Sequence, residues 1–577
     1  MPLKQISGRN PLPSWKIYAA GVILALAGLL AYSNSFTGPF VFDDIGGIVK
    51  NDSIRNIGDS WSPPANGETV SSRPLLNFTL ALNYAYSELS PTSYHLVNLL
   101  IHLAAGLLLF GLVRRTLELP TLSARFGSAA LPLAFVIALV WIVHPLQSEA
   151  VTYIVQRAES LMGLFYLLTL YAFVRSVDAK EAVWWRWLAV LTCLAGMLTK
   201  EVMVTAPLVV VLYDRTFLAG TFAKAWQQRR KFYVSLAVTW VALVVVLLMA
   251  PGRGGTVGFS SAVSMWDYAL KQNDAIVSYL KLAVWPHPLV LDYGSAQVDG
   301  LGAIAPQALL LAVLLAGTIY ALRRKASVGF AGAFFFLVLA PTSSFVPVAT
   351  QTMAEHRMYL PLAAVLAALV LVTYAWAGRK VIGLWLAIAL ALGCITFARN
   401  RDYRTTLALW TDTVQKNPDS ARAHSQLGNV YFRTGQSASA LPEYLRVAEI
   451  YPAYRDAYND IGLVQLRQGR VDDALVTLAK SVQLHPDFAD AHFDYGNALL
   501  AANQLDEAER QYRSALELKP DYAEAHNNLG AVFYKQGKIT AAGGEFQEAL
   551  RLLPSWEEAR NNLAQVQALE SKPQTGK

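Results

Sequence analysis

Apolar residues in this chain are gathered into long blocks, and the blocks stop near residue 400. Eleven runs of about 17 to 22 residues centre near positions 26, 104, 136, 167, 191, 208, 241, 311, 336, 368 and 389, each long enough to cross a hydrocarbon layer of about 30 Å as a helix. After Arg399 the composition turns polar, rich in Asp, Glu, Lys, Arg, Asn and Gln. The pattern predicts an all-α protein: a polytopic bundle of about 11 spans over 1–400, a second helical domain over 401–570, and a disordered tail over 571–577.

The second region repeats itself. "ARAHSQLGNVYFRTGQ", "RDAYNDIGLVQLRQGR", "ADAHFDYGNALLAANQ" and "AEAHNNLGAVFYKQGK" recur every 34 residues, with Gly428, Gly462, Gly496 and Gly530 in register. Ala440, Ala474, Ala508 and Ala542 keep the same register, as do Pro418, Pro452, Pro486, Pro520 and Pro554. This is the tetratricopeptide signature, in which small residues let two helices approach and proline ends the second. Four full repeats run over about 421–554, after a half unit "LALWTDTVQKNP" and before a capping helix. Stacked repeats form a solenoid with a concave face. Asn429, Arg433, Asn459, Arg467, Asn497, Asn527 and Lys535 share the register of that face on the first helices and form a candidate acceptor groove, since amide side chains pair well with an extended peptide backbone.

Composition agrees with the membrane reading: of 577 residues 54% are hydrophobic and only 15% charged. The net charge of +7 does not point to nucleic acid, because the basic residues fall in short clusters between apolar runs. With the N-terminus cytoplasmic, the inside segments carry Arg114, Arg115 and Arg125; Arg175, Lys180 and Arg186; Arg215, Lys224 and Arg229 to Lys231; Arg323 to Lys325; and Arg379 and Lys380. The segments 34–93, 144–159, 251–300 and 347–361 then lie outside, with everything after Arg399. Cys193 and Cys394 both lie in apolar runs, so neither a disulfide framework nor a cysteine metal motif is expected. The first run, after Lys4, Arg9 and Lys16, reads as an uncleaved anchor.

The outer side carries polar groups set in apolar sequence. Asp43 and Asp44 in "FVFDDIGGIVKND" follow the first run; alone they would read as a solvated loop. Arg73, His95, Asn98, His102, His144, Glu149, Arg157, Glu159, Lys200, Glu201, Glu355, His356, Arg357 and Tyr359 cluster on the same side. Such groups are costly near a bilayer and usually mark function. A carboxylate base with several arginines suits transfer of a group from a phosphate leaving group to a hydroxyl. The two acids would alternatively hold a divalent cation, but no matching oxygen set is evident from spacing, and no metal is assigned. The triplets Asn51-Asp-Ser53 and Asn77-Phe-Thr79 fit glycosylation sequons.

The stretches "FVFDDIGGIVKND", "SSRPLLNFTLALNY", "SYHLVNLLIH", "HPLQSEAVTYIVQRAES", "LTKE", "AEHRMYLP" and "RNRDYRTTLALWTDTVQKNP", followed by the repeats, resemble the transmembrane and tetratricopeptide-containing O-mannosyltransferases and their bacterial relatives. The resemblance implies a C-type glycosyltransferase fold, with an acidic catalytic motif in the first exoplasmic loop and a polyprenyl-phosphate sugar as donor. It implies Asp43 or Asp44 as catalytic base of an inverting transfer, and Arg73, Arg157, Lys200, Glu201, Glu355, Arg357 and Tyr359 around the donor. His95, His144, Glu149 and Glu159 would line the site. The expected activity is transfer of a mannose-like sugar to a hydroxyl of a protein or peptide acceptor presented by the repeats, with no cofactor required. A lipid or polysaccharide acceptor, or a non-catalytic membrane-anchored scaffold, are the alternatives. The expected location is the bacterial inner membrane with periplasmic repeats, or the endoplasmic reticulum with lumenal repeats.

Overall fold

A computed structural model describes residues 13–64, 69–178, 182–249, 264–294, 301–324, 327–344 and 351–571. Lys180, Lys325, residues 251–263 and 295–300 of the segment 251–300, residues 347–350 of the segment 347–361, and the tail from 572 lie outside the described residues. Two compact units emerge, Met1–Lys416 and Asn417–Lys577. Among the described residues both are helical throughout, without strands.

Among the described residues of the first unit seven helices are long and apolar enough to cross a membrane: Ser14–Ala31, Pro91–Glu118, Pro120–Ile142, Ile154–Val177, Phe222–Met249, Ile304–Arg323 and Lys380–Arg404. Ala182–Met197, Ser327–Leu339 and Pro361–Ala377 are apolar but shorter. The sixth expected run, near 208, is an eight-residue α-helix, Ala206–Tyr213, that continues as one π-type turn, Asp214–Leu218. Asp214 explains the break: it is fully buried and gathers Arg229 at 2.9 Å and the Tyr233 hydroxyl, so the chain bends around a polar knot. Apolar side chains face outward on the long helices, as a lipid-bathed bundle requires; Val238, Val241, Leu309 and Val313 are all exposed. Exposed Trp15, Trp184, Trp226 and Trp376 lie at helix ends near basic residues, where aromatic side chains mark membrane interfaces. An apolar cavity of about 500 Å³ is lined by Leu112, Thr116, Tyr213, Phe334, Ala367 and Trp376 among others, with no acidic residue in its wall.

The second unit is four helical hairpins and a cap. The pairs are Ala421–Arg433 with Ser437–Ile450, Ala457–Arg467 with Val471–Leu484, Ala489–Ala501 with Leu505–Leu518, and Ala523–Lys535 with Ile539–Leu552; Glu557–Glu570 closes the stack. Each hairpin turns on a left-handed residue in one register, Gly435, Gly469, Asn503 and Gly537, at φ 79°, 76°, 59° and 77°. The in-register glycines inside the first helices are there for space. A Cβ on Gly496 would lie 2.7 Å from the Tyr512 ring, and one on Gly462 2.4 Å from Leu478. Gly496→Leu is expected to destabilise the repeats by about 1–3 kcal/mol through overpacking, read as a lower melting temperature of the repeat transition.

Candidate active site

The structure divides the acidic pair. Asp44 is fully buried, not solvated as a lone loop acid would be. Its Oδ2 accepts the Val41 N–H at 3.0 Å and its Oδ1 accepts the Val155 N–H at 2.7 Å. It therefore ties the loop after the first span to the turn that starts Arg157–Asp178. Burial outweighs those donors, and the neighbouring Asp43 charge adds to it, raising Asp44 to about 8. Asp43 stays half-buried; its N–H donates to the Tyr153 hydroxyl at 2.8 Å and its Oδ2 accepts from the Thr69 hydroxyl at 3.1 Å. Phe42, just before the pair, sits at φ 45°, and Ser72, just before Arg73, at φ 61°. Strained backbone of this kind persists where the surroundings fix a side chain; the Phe42 ring packs edge-on against Trp410 with centroids 5.4 Å apart.

Around the pair lie buried charges from five segments. Arg73 donates from Nη1 to the Thr69 carbonyl at 2.7 Å and approaches Glu201 at 3.5 Å. Lys200 and Glu159 form a buried ion pair, and burial still draws Lys200 below its ordinary value. Glu149 accepts the His356 N–H at 2.9 Å and the His356 Nδ1–H at 2.8 Å. Burial raises Glu149, and burial together with the Lys200 charge keeps His356 neutral, well below its usual range. Glu355 accepts the Val290 N–H at 2.7 Å and the Tyr293 hydroxyl at 2.9 Å. Tyr153 feels Asp43, Asp44 and Glu149 together, and Glu149 feels Lys200, Arg357 and Arg399, so these groups form one electrostatic network.

Arg157 and Arg357 are placed differently from a pair of forks open to a phosphate. Arg157, fully buried, donates from Nε to Asn98 Oδ1 at 2.6 Å and from its Nη atoms to the carbonyls of Thr79 and Tyr94. Arg357 donates to the carbonyls of Thr342, Thr352 and Gln351 at 3.0, 3.1 and 2.6 Å. Their partners are neutral, so the charges remain available to an anion as a field while the N–H groups brace the fold. Tyr359 donates to His102 Nδ1 at 3.0 Å, and a Cβ on Gly163 would meet its ring at 2.4 Å; it is a packing residue of the site floor. His95 donates to the Gly38 carbonyl at 3.0 Å, and His144 accepts from Leu146 N–H and faces the Ala283 carbonyl, so both hold loops. The sequon residues Asn51 and Asn77 are buried and bonded to each other at 2.9 Å.

Sequence reasoning missed Arg399. It is nearly buried, and its Nη1 bridges Asp402 at 2.9 Å and Asp412 at 2.8 Å. Its Nη2 lies 3.9 Å from Glu355, and Nε and Nη2 have no hydrogen-bond partner. Lys416 extends the network to Asp412 at 2.7 Å. The only signal was the quoted motif "RNRDYRTTLALWTD", whose charges follow a span directly. Arg399→Gln is expected to destabilise the first unit by about 3–5 kcal/mol, because buried Glu355 would lose the cation beside it and Lys416 alone would be left to face Asp402 and Asp412; a thermal melt in detergent reads it.

In the repeats, Asn429 Oδ1 accepts the Tyr444 hydroxyl at 2.8 Å and Asn497 Oδ1 the Tyr512 hydroxyl at 2.7 Å, each within its own hairpin. Asn459 donates to Asp494 at 2.8 Å, and Asn527 accepts from Asn562 at 3.0 Å. Arg467 lies over the Phe432 ring at 3.8 Å, while Arg433 and Lys535 are exposed. Among the described residues no three His, Cys, Asp or Glu side chains are disposed to hold a metal ion.

The fold and site define a polytopic helical membrane protein with tetratricopeptide repeats. Family models described as "Tetratricopeptide repeat" match residues 395–458 and 459–509, and one described as "TPR repeat" matches 496–537. A Caenorhabditis elegans protein O-mannosyl-transferase is 25% identical over 462 residues, covering 75% of this chain and 63% of its own. Drosophila melanogaster Tmtc3 is 34% identical over 33% of this chain and 23% of its own, and Homo sapiens TMTC3 30% identical over 32% and 20%; both are also named protein O-mannosyl-transferase. The chain thus spans under two thirds of the length of each of these relatives. Among solved structures, YrrB, titled a TPR protein with an unusual peptide-binding site, is 22% identical with TM-score 0.25 over 30% of this chain and 88% of its own. The chain is thus similar to proteins named protein O-mannosyl-transferase.

Proposed function

We propose that the chain is an inverting glycosyltransferase that moves a mannose-like sugar from a polyprenyl-phosphate donor to a hydroxyl of a protein acceptor. Asp43 is the base. It takes the proton of the acceptor hydroxyl as that oxygen attacks the anomeric carbon; the bond from that carbon to the phosphate oxygen breaks, and polyprenyl phosphate leaves. Asp44 is a positioning residue, both oxygens of its carboxyl group already committed to backbone N–H groups. The departing phosphate gains negative charge, and buried cations of fixed position stabilise such charge without reorganisation. Arg73, Lys200 and Arg399 are the candidates for contact, with Arg157 and Arg357 contributing field. The acids and the repeats face the exoplasmic side and the basic clusters the cytoplasm, and the repeats present the acceptor. The observation that carries this reading is the half-buried Asp43 held beside a buried, backbone-bound Asp44 amid buried cations.

The test is the purified chain with radiolabelled polyprenyl-phosphate mannose and candidate acceptor proteins, with the anomeric configuration of the product read by NMR. Labelled protein of inverted configuration is the expected result. Label only in lipid or polysaccharide changes the acceptor, and a donor left intact by an otherwise folded chain removes the catalytic reading. Within this scheme Arg357→Lys is expected to lower thermal stability more than donor affinity, because lysine keeps the charge but cannot reach three carbonyls at once.

A further inference from the structure

The first helices of the second and third repeats bring acids together. Asp456 and Asp460 lie one turn apart at the start of Ala457–Arg467, and Asp490 and Asp494 one turn apart on Ala489–Ala501. Asn459 joins the two helices by donating from Nδ2 to Asp494 Oδ2 at 2.8 Å, and Asn497 donates to Asp494 Oδ1 at 3.4 Å. The Asn459 side chain is only 5% exposed, yet its Oδ1, held beside Asp494 by that same amide, has no hydrogen-bond partner. A buried acceptor left bare is costly and calls for a donor. Aromatic rings wall the same place: Phe493, preceding Asp494, packs on Tyr522 with centroids 4.7 Å apart, and the Tyr522 hydroxyl feels the charges of Asp490 and Asp494.

We propose that this cleft is a recognition pocket for a basic side chain, arginine or lysine, of an extended peptide lying along the repeats. The bare Asn459 Oδ1 and the carboxyl groups beside it accept hydrogen bonds, and the rings offer faces to a cation. Guanidinium and ammonium groups supply several donors with a positive charge. The carboxylates are not gathered around one point as a metal ion needs. Electrostatics agree with the geometry. Burial, then Asp456 and Asp494, push Asp460 well above the carboxylate range, and burial and Asp490 bring Asp494 up to about 6. Arg455 and His485 temper only the Asp456 end. A bound cation relieves that crowding.

That the pocket selects acceptors rests on the proposed transferase reading; that it binds a basic peptide does not. The test uses the full chain in detergent and fluorescein-labelled peptides of alternating Ala and Thr with one central Arg, Lys, Gln or Glu. The Arg and Lys peptides are expected to bind roughly tenfold or more tightly than the Gln peptide, with Glu weakest. Asp460→Asn and Asp494→Asn should each shrink that preference, and circular dichroism checks that the repeats remain folded. Equal affinity for all four peptides, or no binding of any, overturns the proposal from the unmodified chain alone. A preference untouched by both substitutions overturns it as well. The threonines let transfer be read separately: a bound Arg peptide that receives no sugar keeps the pocket and removes its role in acceptor choice.

Discussion

Asp43→Asn is expected to lower sugar transfer by about a hundredfold or more while leaving the melting temperature of the first unit nearly unchanged; Asp44→Asn is expected to lower the melting temperature. The difference follows from where the lone pairs go. Both Asp44 oxygens accept backbone N–H groups in a fully buried position. Asparagine offers one oxygen and one NH2, so one N–H would face another donor, and a buried unpaired group of this kind costs about 1–3 kcal/mol. Asp43 is half-buried, and its side chain accepts from the Thr69 hydroxyl, which asparagine can retain through its own oxygen. What asparagine cannot do is take a proton from the acceptor. Asp44→Asn also reaches activity, indirectly, because the loop it anchors carries Asp43. That loss should be partly recovered by lowering the assay temperature, whereas the loss in Asp43→Asn should not. Equal activity of Asp43→Asn and the unmodified chain in the labelled-donor assay would remove Asp43 from the base role.

The paired acids were legible from sequence because two adjacent carboxylates stand out beside an apolar run; their division of labour was not. Asp44 is buried by a contact with Val155, 111 residues away, and no local pattern carries a hydrogen bond of that range. Arg157 illustrates the same limit. Its charge was visible at a span boundary, but its direction depends on Asn98 and on the carbonyls of Thr79 and Tyr94, which only the packed helices bring together. Arg399 escaped notice because it ends a span and looked like one more boundary cation, while its partners Glu355 and Asp412 lie on separate segments. The repeats were readable almost completely, since each hairpin contacts mainly its neighbours and the constraint on Gly428, Gly462, Gly496 and Gly530 recurs at a fixed interval. Even there, the register that marked Asn429 and Asn497 for the groove did not reveal that Tyr444 and Tyr512 hold them within their hairpins. The run near 208 was apolar enough for a span, but Asp214 and its ties to Arg229 and Tyr233 shorten the helix.

Cutting the chain after Lys416 is expected to keep donor binding and to lower transfer to the natural protein acceptor on the order of a hundredfold, the scale of advantage that tethered delivery gives over free encounter. The position of the cut matters. The helix Thr406–Lys416 precedes the repeats and reads as their half unit, yet it belongs to the first unit: Trp410 is buried against Phe42, Asp412 pairs with Arg399, and Lys416 donates to the Leu289 carbonyl at 3.2 Å. A cut at 401 would remove Asp402, Asp412 and Lys416 together and leave buried Arg399 with only Glu355, 3.9 Å away, so loss of activity there would report a damaged site. A cut after Lys416 leaves that network whole. Four hairpins of a solenoid are removed, and they depend chiefly on one another for folding. The truncated protein should still bind polyprenyl-phosphate mannose and slowly hydrolyse it, with water taking the place of the acceptor hydroxyl at Asp43. Photo-crosslinking to a labelled donor reads the first property and release of free sugar the second. Transfer to the natural acceptor at the rate of the whole chain would show that the repeats do not deliver it, and their concave face would then serve a docking partner instead.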